Sequence, residues 1–431
     1  MSFWESLRPL SGRSAAVATG LLLIASHAAV AGPPPSGNAY VQTNLVSDIA
    51  GVAAVTDPNL INPWGISASA TSPMWISDNG DGLSTLYSGA GAVIPLVVTI
   101  PPPAGGMAPS APTGTVFNNY TATNPTLFVV NGAPAKFLFS TEDGTLAGWN
   151  AGTSAFLVVD NSASGAVYKG LAIGVADQGP LLFATNFNAG TVDIFDGSFH
   201  QIITPGNFTD WAMPPGYAPF GIMTTPDNNV IVTYALQDSA AHDDVAGYGH
   251  GYVDEFDANG GFIRRLASGG ALDSPWGLAI APATGFGDFS GALLVGNFGD
   301  GRINAYDLGG AMGAVPALRA SIEGRHLDGF DFGFFPSFGE LRFLDSLRDS
   351  DGHPLTNLGL WALHFGSGSA AGGAVTSLYF TAGIPGSLGT LDVPEGHGLF
   401  GVINPWVGAA AAAKAAPAAK AAPAAKAAAG R

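Results

Sequence analysis

A short apolar or aromatic run followed by a turn rich in Asp, Asn or Glu returns six times along this chain. It reads Met74-Trp75-Ile76-Ser77-Asp78, Phe137-Leu138-Phe139-Ser140-Thr141-Glu142, Leu182-Phe183-Ala184-Thr185-Asn186, Val230-Ile231-Val232-Thr233-Tyr234, Leu293-Leu294-Val295-Gly296-Asn297 and Leu378-Tyr379-Phe380-Thr381. A second motif precedes three of these runs: Asn62-Pro63-Trp64-Gly65-Ile66, Ala218-Pro219-Phe220-Gly221-Ile222 and Ser274-Pro275-Trp276-Gly277-Leu278. Each unit is too small to bury its own apolar face, so a sequence built this way predicts a closed array of sheets.

Composition agrees. With 61 Gly and 31 Pro the chain has turn residues at a density that long helices would not tolerate, and at 11% charged residues it cannot cover a helical surface with ion pairs. The expected fold is all-β: a six-bladed β-propeller of four-stranded blades. Residues 40–407 divided by six give about 61 per unit, enough for blades of about 40–45 residues plus loops. Seven blades remain open if an insertion hides a degenerate unit. Inner strands are expected near Trp64, Thr126, Gly170, Gly221, Gly277 and Leu360. Loop insertions are expected near 101–112, 207–216, 237–251 and 325–354. The lone strand Tyr40–Val46 and the C-terminal run Leu399–Ile403 are placed to pair and close the circle.

Outside the body, residues 1–31 have the layout of a signal peptide. Arg8 and Arg13 precede an apolar run around Ala15–Ala25, and Ala29-Val30-Ala31 offers a cleavage site. The run is shorter than the roughly 20 residues of a spanning helix, and the expectation is export to the periplasm or extracellular space with no transmembrane segment in the mature chain. Residues 32–39 read as a Pro/Gly linker and 408–431 as an Ala/Lys/Pro low-complexity tail. The tail reads as a solvated appendage or as an electrostatic tether to anionic surface polymer or to the acidic body.

Six of the 15 basic residues (Arg8, Arg13, Lys414, Lys420, Lys426 and Arg431) lie in the leader and tail, against one of the 32 acidic residues, Glu5. The body is therefore strongly acidic and repels nucleic acid. The absence of Cys excludes disulfides and thiol chemistry. No G-x-S-x-G elbow, H-E-x-x-H, P-loop or dinucleotide fingerprint is present.

In a propeller, the loop into each inner strand and the loop after each second strand open on one face, around the channel. That rule gathers Asp78, Glu142, Asn186, Asp238 and Asn297 into a ring, with Thr381 in the sixth place. Such oxygens suit Ca2+, although Asp and Asn also open ordinary turns by bonding local backbone. His242-Asp243-Asp244-Val245-Ala246-Gly247-Tyr248-Gly249-His250 is the densest cluster of ligand types, without a standard zinc spacing. Asp349-Ser350-Asp351-Gly352 lacks the flanks of a calcium loop. Lys169, one of two Lys in the body with Lys136, precedes an inner strand. With Glu142 it is a candidate for catalysis or anion binding, or an ion pair joining blades. Trp64, Phe220, Trp276 and Trp361 recur at one position, as a stacking platform for ligand or as core between blades.

Several stretches carry a family resemblance: Leu45–Ile66, Asp160–Leu171, His242–Gly247 and Gly291–Ile303. They are similar to a functionally uncharacterised group of exported bacterial proteins expected to be six-bladed propellers, over nearly all of 40–407. More distantly the pattern resembles NHL-repeat and gluconolactonase-like propellers. The resemblance implies fold and export, and from the gluconolactonase-like proteins a metal near the channel; it brings no activity. Several relatives end in a membrane-sorting segment where this chain has its Lys-Ala-Pro tail. The expected function is a binding or interaction module, with Ca2+ at the central mouth and a small molecule, glycan or protein as partner of a monomer. The alternative is a metal-dependent hydrolase or lactonase, with Glu142 or Lys169 handling the proton. An envelope matrix or adhesion role rests on the cationic tail.

Overall fold

The computed structural model describes residues 37–309, 339–386 and 395–407. The leader and the tail lie outside the described residues, as do residues 310–338 and 387–394. Six antiparallel sheets stand in a ring. Their innermost strands are Pro63–Ser67, Pro112–Phe117, Tyr168–Ala176, Tyr217–Thr224, Pro275–Ile280 and Leu360–Phe365, here blades 1 to 6. Each inner strand packs on the next, and that of blade 6 packs back on blade 1, so the circle is closed.

The join is made by the two ends of the body. Tyr40–Ser47 pairs antiparallel with His397–Pro405 from Tyr40↔Pro405 to Ser47↔Leu399 and supplies the outer strand of blade 6. Val55–Thr56 adds a short parallel fifth strand to that sheet. Val46 and Tyr40 are fully buried there, and Tyr40 Oη donates to the Phe286 carbonyl of blade 5 at 3.0 Å. The expected closure of termini is therefore the arrangement found.

Two expectations need correction. Blade 2 begins with Pro112–Phe117 instead of near Thr126, which lies ahead of a small hairpin (Val129–Val130 with Ala133–Pro134) between the first and second strands. Pro112 at the first strand position needs no ladder N–H, so the proline-rich run leads into the blade. The fourth strand of blade 5, Arg342–Ser346, lies inside the stretch expected to be one long loop.

All six inner strands break register at the same height, between Pro63 and Ile66, Pro112 and Thr115, Tyr168 and Leu171, Pro219 and Ile222, Pro275 and Gly277, and Leu360 and Leu363. A bulge re-aims a side chain. Here the re-aimed residues are Trp64, Thr113, Lys169, Phe220, Trp276 and Trp361, one per blade. The Gly that follows five of the six lets the next blade approach: a Cβ on Gly221 would lie 2.0 Å from the Trp276 carbonyl oxygen, and one on Gly277 would lie 2.5 Å from that of Trp361. Threonine hydroxyls of the second strands replace the ladder bonds lost at the bulge. Thr185 accepts from Gly170 N and donates to the Phe220 carbonyl of blade 4 at 2.7 Å. Thr381 accepts from Ala362 N and donates to the Trp64 carbonyl of blade 1. The repeated motifs are thus an interlock between blades.

Candidate site at the channel mouth

The four aromatic bulge residues meet in one cluster. Trp64 stacks on Trp361 with centroids 3.4 Å apart, and Trp276 meets both edge-on at 6.0 and 5.7 Å. Phe220 lies edge-on to Trp361 at 6.0 Å, and Phe298 stacks on it at 4.2 Å. Together they form an aromatic plug. Trp361 Nε1 donates to Asn62 Oδ1 and Trp276 Nε1 to the Lys169 carbonyl, both at 3.2 Å, while the buried Trp64 Nε1 finds no partner among the described residues.

Blade 2 breaks the aromatic pattern with Thr113, and blade 3 breaks it with Lys169. Its ammonium lies 5.3 Å from the Trp64 centroid and 5.8 Å from that of Phe187, and the side chain is 2% exposed. It pairs with Glu142 Oε1 of blade 2 and, at 3.3 Å, with Asp243 Oδ1 of blade 4. The expected inter-blade ion pair is present. Burial works to lower the Lys169 pKa, but Glu142 and Asp243 outweigh it and hold the group above its ordinary value, so it is an ammonium at neutral pH.

Around this pair run polar contacts from further blades. Asn79 Nδ2 donates to Glu142 Oε2 at 2.8 Å, and Asn62 Nδ2 reaches both Asn79 Oδ1 at 3.2 Å and Glu395 Oε2 of blade 6 at 2.9 Å. Burial, with Glu142 nearby, pushes Glu395 up to about 7. Burial likewise pushes Asp244 up to about 6, and its Oδ2 finds no hydrogen-bond partner among the described residues. Two carboxylates thus pair with one lysine, and two more feel its charge.

The 237–251 loop delivers Asp243 because Asp238 folds it. Asp238 Oδ1 accepts from the backbone N of Ala240, His242 and Asp243 at 3.1, 2.9 and 3.4 Å. His242 Nδ1 lies 2.9 Å from Asp243 Oδ1, and Glu142, His242 and Asp243 each present a ligand atom within 4.8 Å of the others. His250 is engaged by the Val245 carbonyl at 2.8 Å.

Of the residues read from the sequence, Trp64, Lys169, Phe220 and Trp276 come together in plug and pair, and Glu142 joins them. The other proposed metal ligands are engaged by neighbouring protein groups, although the buried Asp78 Oδ1 and Asn297 Oδ1 find no partner among the described residues. Asp78 accepts from Thr85 N, Asn186 bonds Val167 N, Ala189 N and Asp193, and Asn297 donates to the Ala271 carbonyl and Asp300. Thr381 serves the interlock. Glu395 and Asn79 were missed: Glu395 belongs to no repeated motif, although the place of Asn79 after the Asp78 strand could have marked it. The Asp349, Asp351 and His353 cluster lies exposed in a turn, with Asp349 capping Asp351 N and His353 N.

No family model matches the chain. An uncharacterised protein of Acanthamoeba polyphaga mimivirus is 32% identical over 292 residues, 65% of this chain and 70% of that protein. A second from the same virus is 30% identical over 308 residues, 65% of this chain and 76% of the other. The chain belongs to the family of these proteins. Since both relatives are uncharacterised, membership brings no activity. Among solved structures it is similar to an aldose sugar dehydrogenase of Escherichia coli (TM-score 0.47, 11% identity, 85% of this chain and 100% of that one). It is also similar to virginiamycin B lyase of Staphylococcus aureus (TM-score 0.38, 11% identity, 85% and 98%). Among the described residues no helix is long and apolar enough to cross a membrane.

Proposed function

We propose that this propeller is a binding module whose channel mouth takes a divalent cation, Ca2+ by the preponderance of oxygen donors. The observation that carries this reading is the charge imbalance: Glu142 and Asp243 pair with one ammonium whose charge Asp244 and Glu395 also feel, and Asp244 keeps a buried oxygen without a partner among the described residues. A hard cation gathers such carboxylates and relieves their repulsion. Glu142 and Asp243 are the residues that would hold it, with His242 beside them. Asn62 and Asn79 orient Glu142 and Glu395 by donating to them.

Calorimetric titration of metal-free protein with CaCl2 and ZnCl2, with thermal unfolding in parallel, tests this. Calcium binding that raises Tm and is lost in Asp243→Asn is the expected result. Saturation by Zn2+ alone would shift the assignment to a site led by His242, and no binding of either ion would end the reading.

A metal-dependent hydrolase or lactonase keeps one supporting observation. Glu395 and Asp244 are held at about 7 and about 6, the range in which a carboxyl exchanges protons near neutral pH. Turnover of neutral lactones that is lost in Glu395→Gln would support it. Export through the 1–31 leader belongs to the same proposal, on the layout of Arg8, Arg13 and Ala29-Val30-Ala31. N-terminal sequencing should find Gly32 first, and a mature chain retaining Met1 would exclude it.

A further inference from the structure

Below the aromatic plug the six inner strands diverge around a cavity of about 890 Å³ that opens on the face opposite the mouth. Its roof is Trp276, and its wall is built mainly from inner-strand residues such as Ile66, Leu171, Ile173, Ile222 and Leu278. Among the described residues, no Asp, Glu, Lys or Arg lines it. In a body this acidic, an uncharged lining in the middle of the ring is a chemical boundary.

The polar groups it does present are few and neutral. The hydroxyls of Ser67 and Thr115 bond each other across blades 1 and 2 at 3.0 Å. His364 lines the cavity half-buried, and burial lowers its pKa and keeps the imidazole uncharged at neutral pH. His364 Nδ1 and Thr224 Oγ1 find no partner among the described residues. Asn228 stiffens the rim by bonding both backbone groups of Val175, at 2.9 and 2.7 Å. A largely apolar, preformed hollow of a few hundred to about a thousand cubic ångströms with a few convergent polar groups is the ordinary form of a small-molecule site.

We propose that this end of the channel is a second binding site, for an uncharged, mainly apolar small molecule carrying a hydroxyl or similar polar group. The tryptophan plug separates it from the ionic mouth, so the two ends take ligands of different chemistry. An ionised ligand would have to shed its hydration with no counter-charge to receive it.

Fluorescence titration of the full protein with 2-naphthol, against 2-naphthalenesulfonate as its charged analogue, tests this. We expect saturable 2-naphthol binding at one site and sulfonate binding weaker by about tenfold or more. Ile222→Trp, which fills the cavity, should abolish binding while circular dichroism stays unchanged. Thr224→Phe, at the wider end, makes the same test if Ile222→Trp does not fold. Equal binding of the sulfonate, or full binding by a folded filled variant, would overturn the proposal. Because the mouth takes no part, failure of calcium binding there leaves these outcomes unaffected.

Discussion

The α-carbon of Gly221 faces the carbonyl oxygen of Trp276 so closely that a methyl group there would lie 2.0 Å from it. The contact joins the inner strands of blades 4 and 5 at the height where all six bulge. Gly221 does not adopt a positive φ, so its requirement is contact and not torsion. Gly221→Ala should therefore push two backbones apart and destabilise the fold by about 3 kcal/mol. Denaturant unfolding measures it; a loss below about 0.5 kcal/mol would mean the interlock is loose.

Lys169 and Glu142 form a pair with side chains 2% and 14% exposed. Lys169→Met keeps the apolar stem over Trp64 but leaves Glu142 without its cation. Breaking one partner of a buried pair costs about 3 kcal/mol or more. The double variant Lys169→Met with Glu142→Gln should recover part of that loss. If the single variant is as stable as the parent, the pair is not holding blades 2 and 3 together.

Glu395 is raised to about 7 by burial and by Glu142, from about 4.3 in an unfolded chain. The folded state then binds its proton more tightly. Its contribution to stability is fully present below the unfolded value and is lost as pH rises through 7. Glu395→Gln removes this titration. The variant should match the parent near pH 4 and become the more stable of the two by pH 8, as read from unfolding midpoints along that range. A constant difference across that range would refute the assignment.

Val46, fully buried in the strand Tyr40–Ser47, faces Phe400 in the sheet that closes the ring. Val46→Asp buries an unpaired carboxylate at the join and should cost about 3 kcal/mol or more. Hydrogen exchange should show protection falling in blade 6 and in its neighbour blade 1. Loss confined to residues 40–47 would show that the ring holds without its lock.

The blade pattern was readable because it is local: second-strand runs and Pro-aromatic-Gly motifs repeat in a form that period-two strands and tight turns impose on any chain. Four re-aimed side chains were legible as Trp64, Phe220, Trp276 and Trp361 for the same reason. Lys169 was legible by scarcity. Blade 2 was misread at its start because Thr113-Gly114-Thr115 carries no aromatic at the bulge, and a hairpin insertion imitates a strand start.

By itself the sequence determined an all-β repeat architecture, an acidic body without Cys, and the residues available to a channel. Tertiary structure alone decided which of them meet. Asp78, Asn186 and Asn297 bond neighbouring backbone, whereas Glu142 and Asp243 from two blades pair with Lys169, whose charge also acts on Asp244 and Glu395. Proximity across a closed ring depends on loop path and on the angle between blades. Neither leaves a trace in the spacing of residues along one chain.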